Sequence, residues 1–136
     1  MQKKIMALDY GTKRIGIAIS DALGMCAHPR DFIDNNSKAF ENILKLAEQE
    51  NIQLLLFGIP KRLSGEASHM QEEIERFMHN LQKKTGLNMQ TWDERLTSAQ
   101  AEKFMISADV KRKKRKTSID SMAATILLQS YLDSQQ

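Results

Sequence analysis

Lys3-Lys4-Ile5-Met6-Ala7-Leu8-Asp9, then Arg14-Ile15-Gly16-Ile17-Ala18-Ile19-Ser20, set the architecture of this 136-residue chain. In the first segment Ile5, Ala7 and Asp9 alternate with Met6 and Leu8, the period of two that marks a strand. Gly11-Thr12-Lys13-Arg14 turns the chain, and Ile15, Ile17 and Ile19 repeat the period, which predicts a hairpin. A carboxylate thus closes the first strand on a face it shares with apolar residues, where a charge is costly unless something compensates it.

Downstream, Asp21-Ala22-Leu23-Gly24 reads as a second turn, and about 25–33 as a strand that Pro29 confines to a sheet edge. Ser37 is placed to cap a helix with the stripe Phe40, Ile43, Leu44 and Ala47. The apolar run Ile52 to Phe57 predicts a parallel strand buried on both faces, followed by a loop from Gly58 to Gly65. A helix is expected over 66–84, carrying Met70, Ile74, Phe77, Met78 and Leu81 and stopped at Gly86. Asn88 to Trp92 reads as a strand, Thr97 with Gln100 as a capping box before Ala101, Phe104 and Met105, and 118–132 as a last helix. The order predicts one α/β domain over 1–136: a mixed five-stranded sheet, an antiparallel meander plus two parallel strands, with helices on both faces.

Composition narrows the class. With 41% hydrophobic residues the chain can bury a core, and a domain of this size hides about two-thirds of its unfolded surface. The single cysteine, Cys26, rules out an intramolecular disulfide and a Cys-rich zinc site and suits a reducing compartment. His28, His69 and His79 lack metal-ligand spacing with one another or with Cys26. No apolar stretch approaches the roughly 20 residues that span a bilayer, so a cytoplasmic protein is expected. The net charge is +3, but Lys111-Arg112-Lys113-Lys114-Arg115-Lys116 is a block of six, and subtracting it leaves −3. So local a basicity points to a polyanionic partner.

Three acids stand where chemistry is expected. Asp9 closes the first strand, at the end of a sheet where α/β sites are built. Alone, it is equally a strand-end aspartate accepting turn amides. Asp93-Glu94-Arg95 follows the last strand, and because neighbours on an extended segment point opposite ways, one of the two acids faces the site. Alone, this is a solvated loop with an ion pair. Asp120 precedes Ala123, Ala124 and Leu127 at helical spacing, which puts an acid on an inward stripe whose small residues allow close approach to the sheet. The helix macrodipole favours a first-turn acid but does not account for that stripe. Carboxylates crowded at one sheet end repel unless a cation joins them, and oxygen-only ligands select Mg²⁺ or Mn²⁺. Two such ions can hold the attacking and leaving oxygens of a phosphodiester.

Read together, Ala7-Leu8-Asp9-Tyr10-Gly11-Thr12-Lys13-Arg14-Ile15-Gly16-Ile17-Ala18, Gly58-Ile59-Pro60 with Gly65, Trp92-Asp93-Glu94-Arg95-Leu96-Thr97 with Ala101-Glu102, and Ile119-Asp120 with Ala123-Ala124 and Ile126-Leu127 resemble the YqgF family. Four motifs in order over the whole chain are a specific signal. That family comprises small ribonuclease H-like proteins regarded as Holliday junction resolvases or pre-16S rRNA nucleases. The resemblance implies a ribonuclease H-like fold and divalent-metal catalysis by Asp9, Glu94 and Asp120, with Glu94 rather than Asp93 as the second acid. It further implies maturation of the 5′ end of small-subunit ribosomal RNA, with a ribosomal precursor particle as partner. The chain departs from the resolvases of this superfamily at Ala123, where they carry a second acid one turn after the last aspartate. It also has Arg62-Leu63-Ser64 in place of a more usual Asn-Met-Asp before Gly65.

Substrate contacts are expected from Lys13 and Arg14 in the hairpin turn, and from Lys61 and Arg62 after a parallel strand. Arg95 has a guanidinium fork suited to phosphate, and Lys111, Arg112, Lys113, Lys114, Arg115 and Lys116 would grip backbone charge. Structured RNA is favoured over branched DNA on the resemblance alone. A junction resolvase would need a two-fold dimer. Competing readings are a non-catalytic RNA-binding assembly factor and an ATPase of the actin and sugar-kinase type. The second needs two such domains, and this chain has room for one.

Overall fold

The computed structural model describes residues 4–60, 65–93 and 121–135. Strands β1 (Ile5–Asp9), β2 (Arg14–Ser20) and β3 (Ala27–Asp34) are followed by helix α1 (Ala39–Gln49), strand β4 (Leu54–Ile59), helix α2 (Gly65–Thr85), strand β5 (Met89–Asp93) and helix α3 (Met122–Ser134). They form one five-stranded sheet in the order β3-β2-β1-β4-β5. β1, β2 and β3 are antiparallel neighbours, whereas β4 runs parallel to β1 and β5 parallel to β4. This is the expected meander joined to two parallel strands. The expected capping box at Thr97 and the helix after it lie outside the described residues.

The period of two in β1 and β2 separates two cores. Met6, Leu8, Ile15, Ile17 and Ile19 join Leu55, Phe57 and Ile59 beneath α1 and α2. Ile5, Ala7, Ala18, Leu54 and Leu56 lie beneath α3, against Ala124, Leu127, Leu128, Tyr131 and Leu132. β4, buried at every position, serves both cores, as its unbroken apolar run requires.

Several boundaries differ from expectation. Helix α1 has no side-chain cap from Ser37. Its first turn is held instead by Asn36, whose Oδ1 accepts the Lys38 N–H at 2.9 Å and whose carbonyl accepts that of Ala39 at 3.0 Å. Ile52 is not in β4. It closes α1: Asn51 takes φ 56°, its N–H meets the Glu48 carbonyl, and the Ile52 N–H meets the Ala47 carbonyl at 2.8 Å. These two bonds form a Schellman closure with Asn in the left-handed position. β4 therefore starts two residues later and takes in Gly58 and Ile59, where the apolar pattern predicts a loop. In α1, Leu46 rather than Leu44 joins the core. β3 runs two residues later at its start and occupies the sheet edge that Pro29 predicts.

Candidate metal centre

Asp9 is the last residue of β1 and pairs with Gly16 of β2. It shares the α3 face with Ile5 and Ala7, as the alternation predicts. Burial raises its carboxyl above the ordinary carboxylate range. Among the described residues no side-chain hydrogen bond or ion pair offsets that burial, and no group of three or more potential ligands forms around it. A half-buried carboxylate at a sheet end, without a compensating charge from the described chain, fits a cation ligand.

The turn after Asp9 is braced from two sides. The Asn35 Nδ2 donates to the Gly11 carbonyl at 2.8 Å, and the Asn35 N–H donates to the Lys13 carbonyl at 2.9 Å. Tyr10 points to the opposite face, where its hydroxyl donates to Glu73 Oε2 at 2.6 Å and its ring meets Phe77 edge-on. Burial and the neighbouring Glu73 both raise the Tyr10 hydroxyl's pKa. A Cβ on Gly11 would collide with the Arg14 carbonyl oxygen, so the tight turn requires glycine. Lys13 and Arg14 are both exposed beyond this turn, and the Arg14 guanidinium carbon lies 5.2 Å from the centroid of Phe32.

The second candidate acid, Glu94, follows β5 in the sequence. Gly58 pairs with Trp92 and Ile59 with Asp93. Trp92 packs on the α3 side, its ring edge-on to Tyr131 at 5.2 Å, so its role is packing. Its neighbour Asp93 alternates to the α1/α2 face, with Met89. Of the adjacent pair, Asp93 is therefore on the face away from Asp9.

The third element is anchored by a residue the sequence pattern does not single out. Ser121, fully buried, accepts the Ile17 N–H at 3.0 Å and donates to the Arg30 carbonyl at 2.6 Å. The β2–β3 register shifts between Ile15 and Ile17, where β3 carries an extra residue. One hydroxyl thus bridges backbone groups that the bulge parts. Ile17 pairs with Leu8, one rung from Asp9–Gly16, so the start of α3 is tied to β2 beside Asp9. A small polar residue inside an apolar helical stripe was the signal available. On α3 itself Ala124 and Leu127 are buried but Ala123 is exposed, so only one of the two alanines faces the sheet. Glu94, Arg95, Asp120, Lys61, Arg62 and the block 111–116 lie outside the described residues.

A family model described as "RuvX: Holliday junction resolvase" matches residues 3–134. The chain belongs to this family. A RuvX relative from Halalkalibacterium halodurans, named "Putative pre-16S rRNA nuclease", is 44% identical over 137 residues, covering 98% of this chain and 98% of its own. One of the same name from Bacillus cereus (strain B4264) is 41% identical, covering 96% and 98%. The RuvX chain also shares its fold with Thermus thermophilus RuvC, solved with a Holliday junction substrate: TM-score 0.60, 8% identity, 98% and 96% covered. Fowlpox virus resolvase, solved with junction DNA, gives a TM-score of 0.56 at 14% identity, with 97% and 98% covered. The architecture is thus ribonuclease H-like, as expected.

Proposed function

We propose that this RuvX protein is a metal-dependent nuclease that matures the 5′ end of pre-16S ribosomal RNA in the cytoplasm, with Asp9, Glu94 and Asp120 as the acids of one Mg²⁺ or Mn²⁺ site. The Ser121 clamp carries the reading, because it ties the chain neighbour of Asp120 to β2 one rung from the Asp9 pair. The alternation of β5 favours Glu94 over Asp93, since Asp93 lies on the far face. The relatives' shared name supports RNA as the substrate.

A divalent ion bound by these carboxylates supplies positive charge against the scissile phosphate and an activated water. The chain's own contribution is placement. Asp9 is fixed by the strand and its braced turn, and its burial raises the gain from acquiring a cation. Lys13 and Arg14 would neutralise a flanking phosphate from the open end of the hairpin, joined by Lys61, Arg62 and Arg95. The block Lys111 to Lys116 would hold the backbone further out by charge alone.

Purified protein with Mg²⁺ or Mn²⁺ should be offered precursor ribosomal RNA and a four-way DNA junction. Asp9→Asn and Asp120→Asn should each lower turnover by about two orders of magnitude or more, the scale of several kcal/mol of lost transition-state charge stabilisation. Cutting of the precursor at the wild-type rate by both variants would overturn the catalytic assignment. Cutting of the junction alone would transfer it to branched DNA, the activity that the family description names.

A further inference from the structure

Phe32 is not among the site residues the sequence predicts, yet it stands at the same end and on the same side of the sheet as Asp9. Asp9 pairs with Gly16, and Arg14 lies two residues from Gly16 along β2, on the same face and about 7 Å further toward the open end. The pairing Ile15–Ile33 and Ile17–Arg30 leaves Asp31 and Phe32 together opposite Gly16, at the bulge. A regular ladder would alternate one of them to each face, whereas the bulge re-aims the side chain. The result is the Arg14–Phe32 contact at 5.2 Å, within cation–π range, with Arg14 exposed and Phe32 half-buried.

The other aromatic rings that the described residues place in contacts are committed to packing. Tyr10, Phe40 and Phe57 all meet Phe77, and Trp92 meets Tyr131. Arg14 is not the sole charge here, because Asp34 is its partner across the strands and Asp31 adjoins Phe32. A phosphate contact at Arg14 uses only its charge, and two carboxylates nearby dilute it. A flat π surface gains more, since every base has a face to offer an arginine plane or an aromatic ring, whatever the sequence.

We propose that Arg14 and Phe32 form a stacking platform for one unpaired nucleobase of the bound polynucleotide, at the Asp9 end of the sheet. The ligand class rests on the nuclease reading above, but the platform is a binding feature and can be tested without cleavage. It predicts a preference for single-stranded segments, because a base inside a duplex has no free face.

The test measures affinity of the full-length protein in EDTA for a short single-stranded oligoribonucleotide and for versions in which one base at a time is removed. In the wild type, one abasic position should weaken binding about tenfold, the scale of one base–aromatic stack. Phe32→Leu, which keeps an apolar side chain for folding, should weaken binding of the intact strand by a similar factor and erase the penalty at that position. Phe32→Trp should restore both. Arg14→Lys, which keeps the charge but not the plane, should behave as Phe32→Leu does. Full affinity in Phe32→Leu, or an abasic penalty it leaves unchanged, overturns the platform. An Arg14→Lys variant equal to wild type overturns the stacking role of Arg14. Uncut binding in EDTA separates these outcomes from failure of the Asp9→Asn cleavage test, which bears on the nuclease reading alone.

Discussion

Burial of Asp9 predicts a pH-dependent stability with a definite sign. Its carboxyl is raised above the ordinary 3.8 by burial, so the folded chain holds the proton more tightly than the unfolded chain does. Below that ordinary value both states are protonated and no penalty exists. As pH rises from there through the folded value, the unfolded state ionises first and stability is lost. In EDTA at neutral pH, Asp9→Asn should therefore melt higher than wild type, and the gap should close as pH falls below about 4. Adding Mn²⁺ should raise the wild-type melting temperature and leave the Asn variant nearly unmoved. Melting curves across pH with and without Mn²⁺ check this, and an Asn variant less stable than wild type in EDTA would contradict it. Gly11 bears on the same residue: Gly11→Ala forces a methyl against the Arg14 carbonyl and should reopen the turn that follows Asp9. It should cost at least about 1 kcal/mol of stability by denaturant titration and weaken Mn²⁺ binding.

Helix α3 meets the sheet through its leucines, through Gln129, whose Oε1 accepts the Ala27 N–H, and through the hydroxyl of its N-cap residue Ser121. Ser121→Ala would leave the buried Ile17 N–H and the Arg30 carbonyl without their partner, at a cost of about 2 kcal/mol. That corresponds to a fall of about 8 °C in melting temperature for a domain of this size, which calorimetry would resolve. The position was hard to read because its partners are backbone groups far away in sequence, exposed to it by a bulge that no local pattern announces. Elements that rest on periodicity were legible. The alternation in 5–9 and 14–20 placed both core faces and the face of Asp9, and Pro29 put β3 at the edge. Errors fell where backbone hydrogen bonds outweigh side-chain pattern. Ile52 looked like strand but closes α1, through an Asn51 whose left-handed geometry could equally have been a loop. Ser37 looked like a cap, but Asn36 is the residue whose side chain reaches the helix. Alternation was enough to give the face of Asp9, while the face of Asp93 needed the pairing of β5 with β4, and Glu94 rested on the family resemblance.

For the whole molecule, charge and catalysis are separable. The chain carries +3, and six of its positive charges are consecutive, so outside 111–116 the protein is acidic. An acidic body repels a polyanion at long range, and on the proposed reading a concentrated basic segment would offset that repulsion. Neutralising Lys111, Arg112, Lys113, Lys114, Arg115 and Lys116 to glutamine should therefore act on binding. KM for precursor RNA should rise steeply at moderate salt, and the slope of log affinity against log salt should shrink by about 0.7 for each single-strand phosphate that the protein no longer neutralises. kcat at saturating substrate should change little, because on the proposed reading these charges would grip backbone, and the substitutions leave Asp9 and its braced turn intact. Steady-state cleavage at several salt concentrations reads both quantities at once. A variant with wild-type KM and salt slope would show that the polyanion is held elsewhere, and one whose kcat alone fell would put the basic segment in the chemistry.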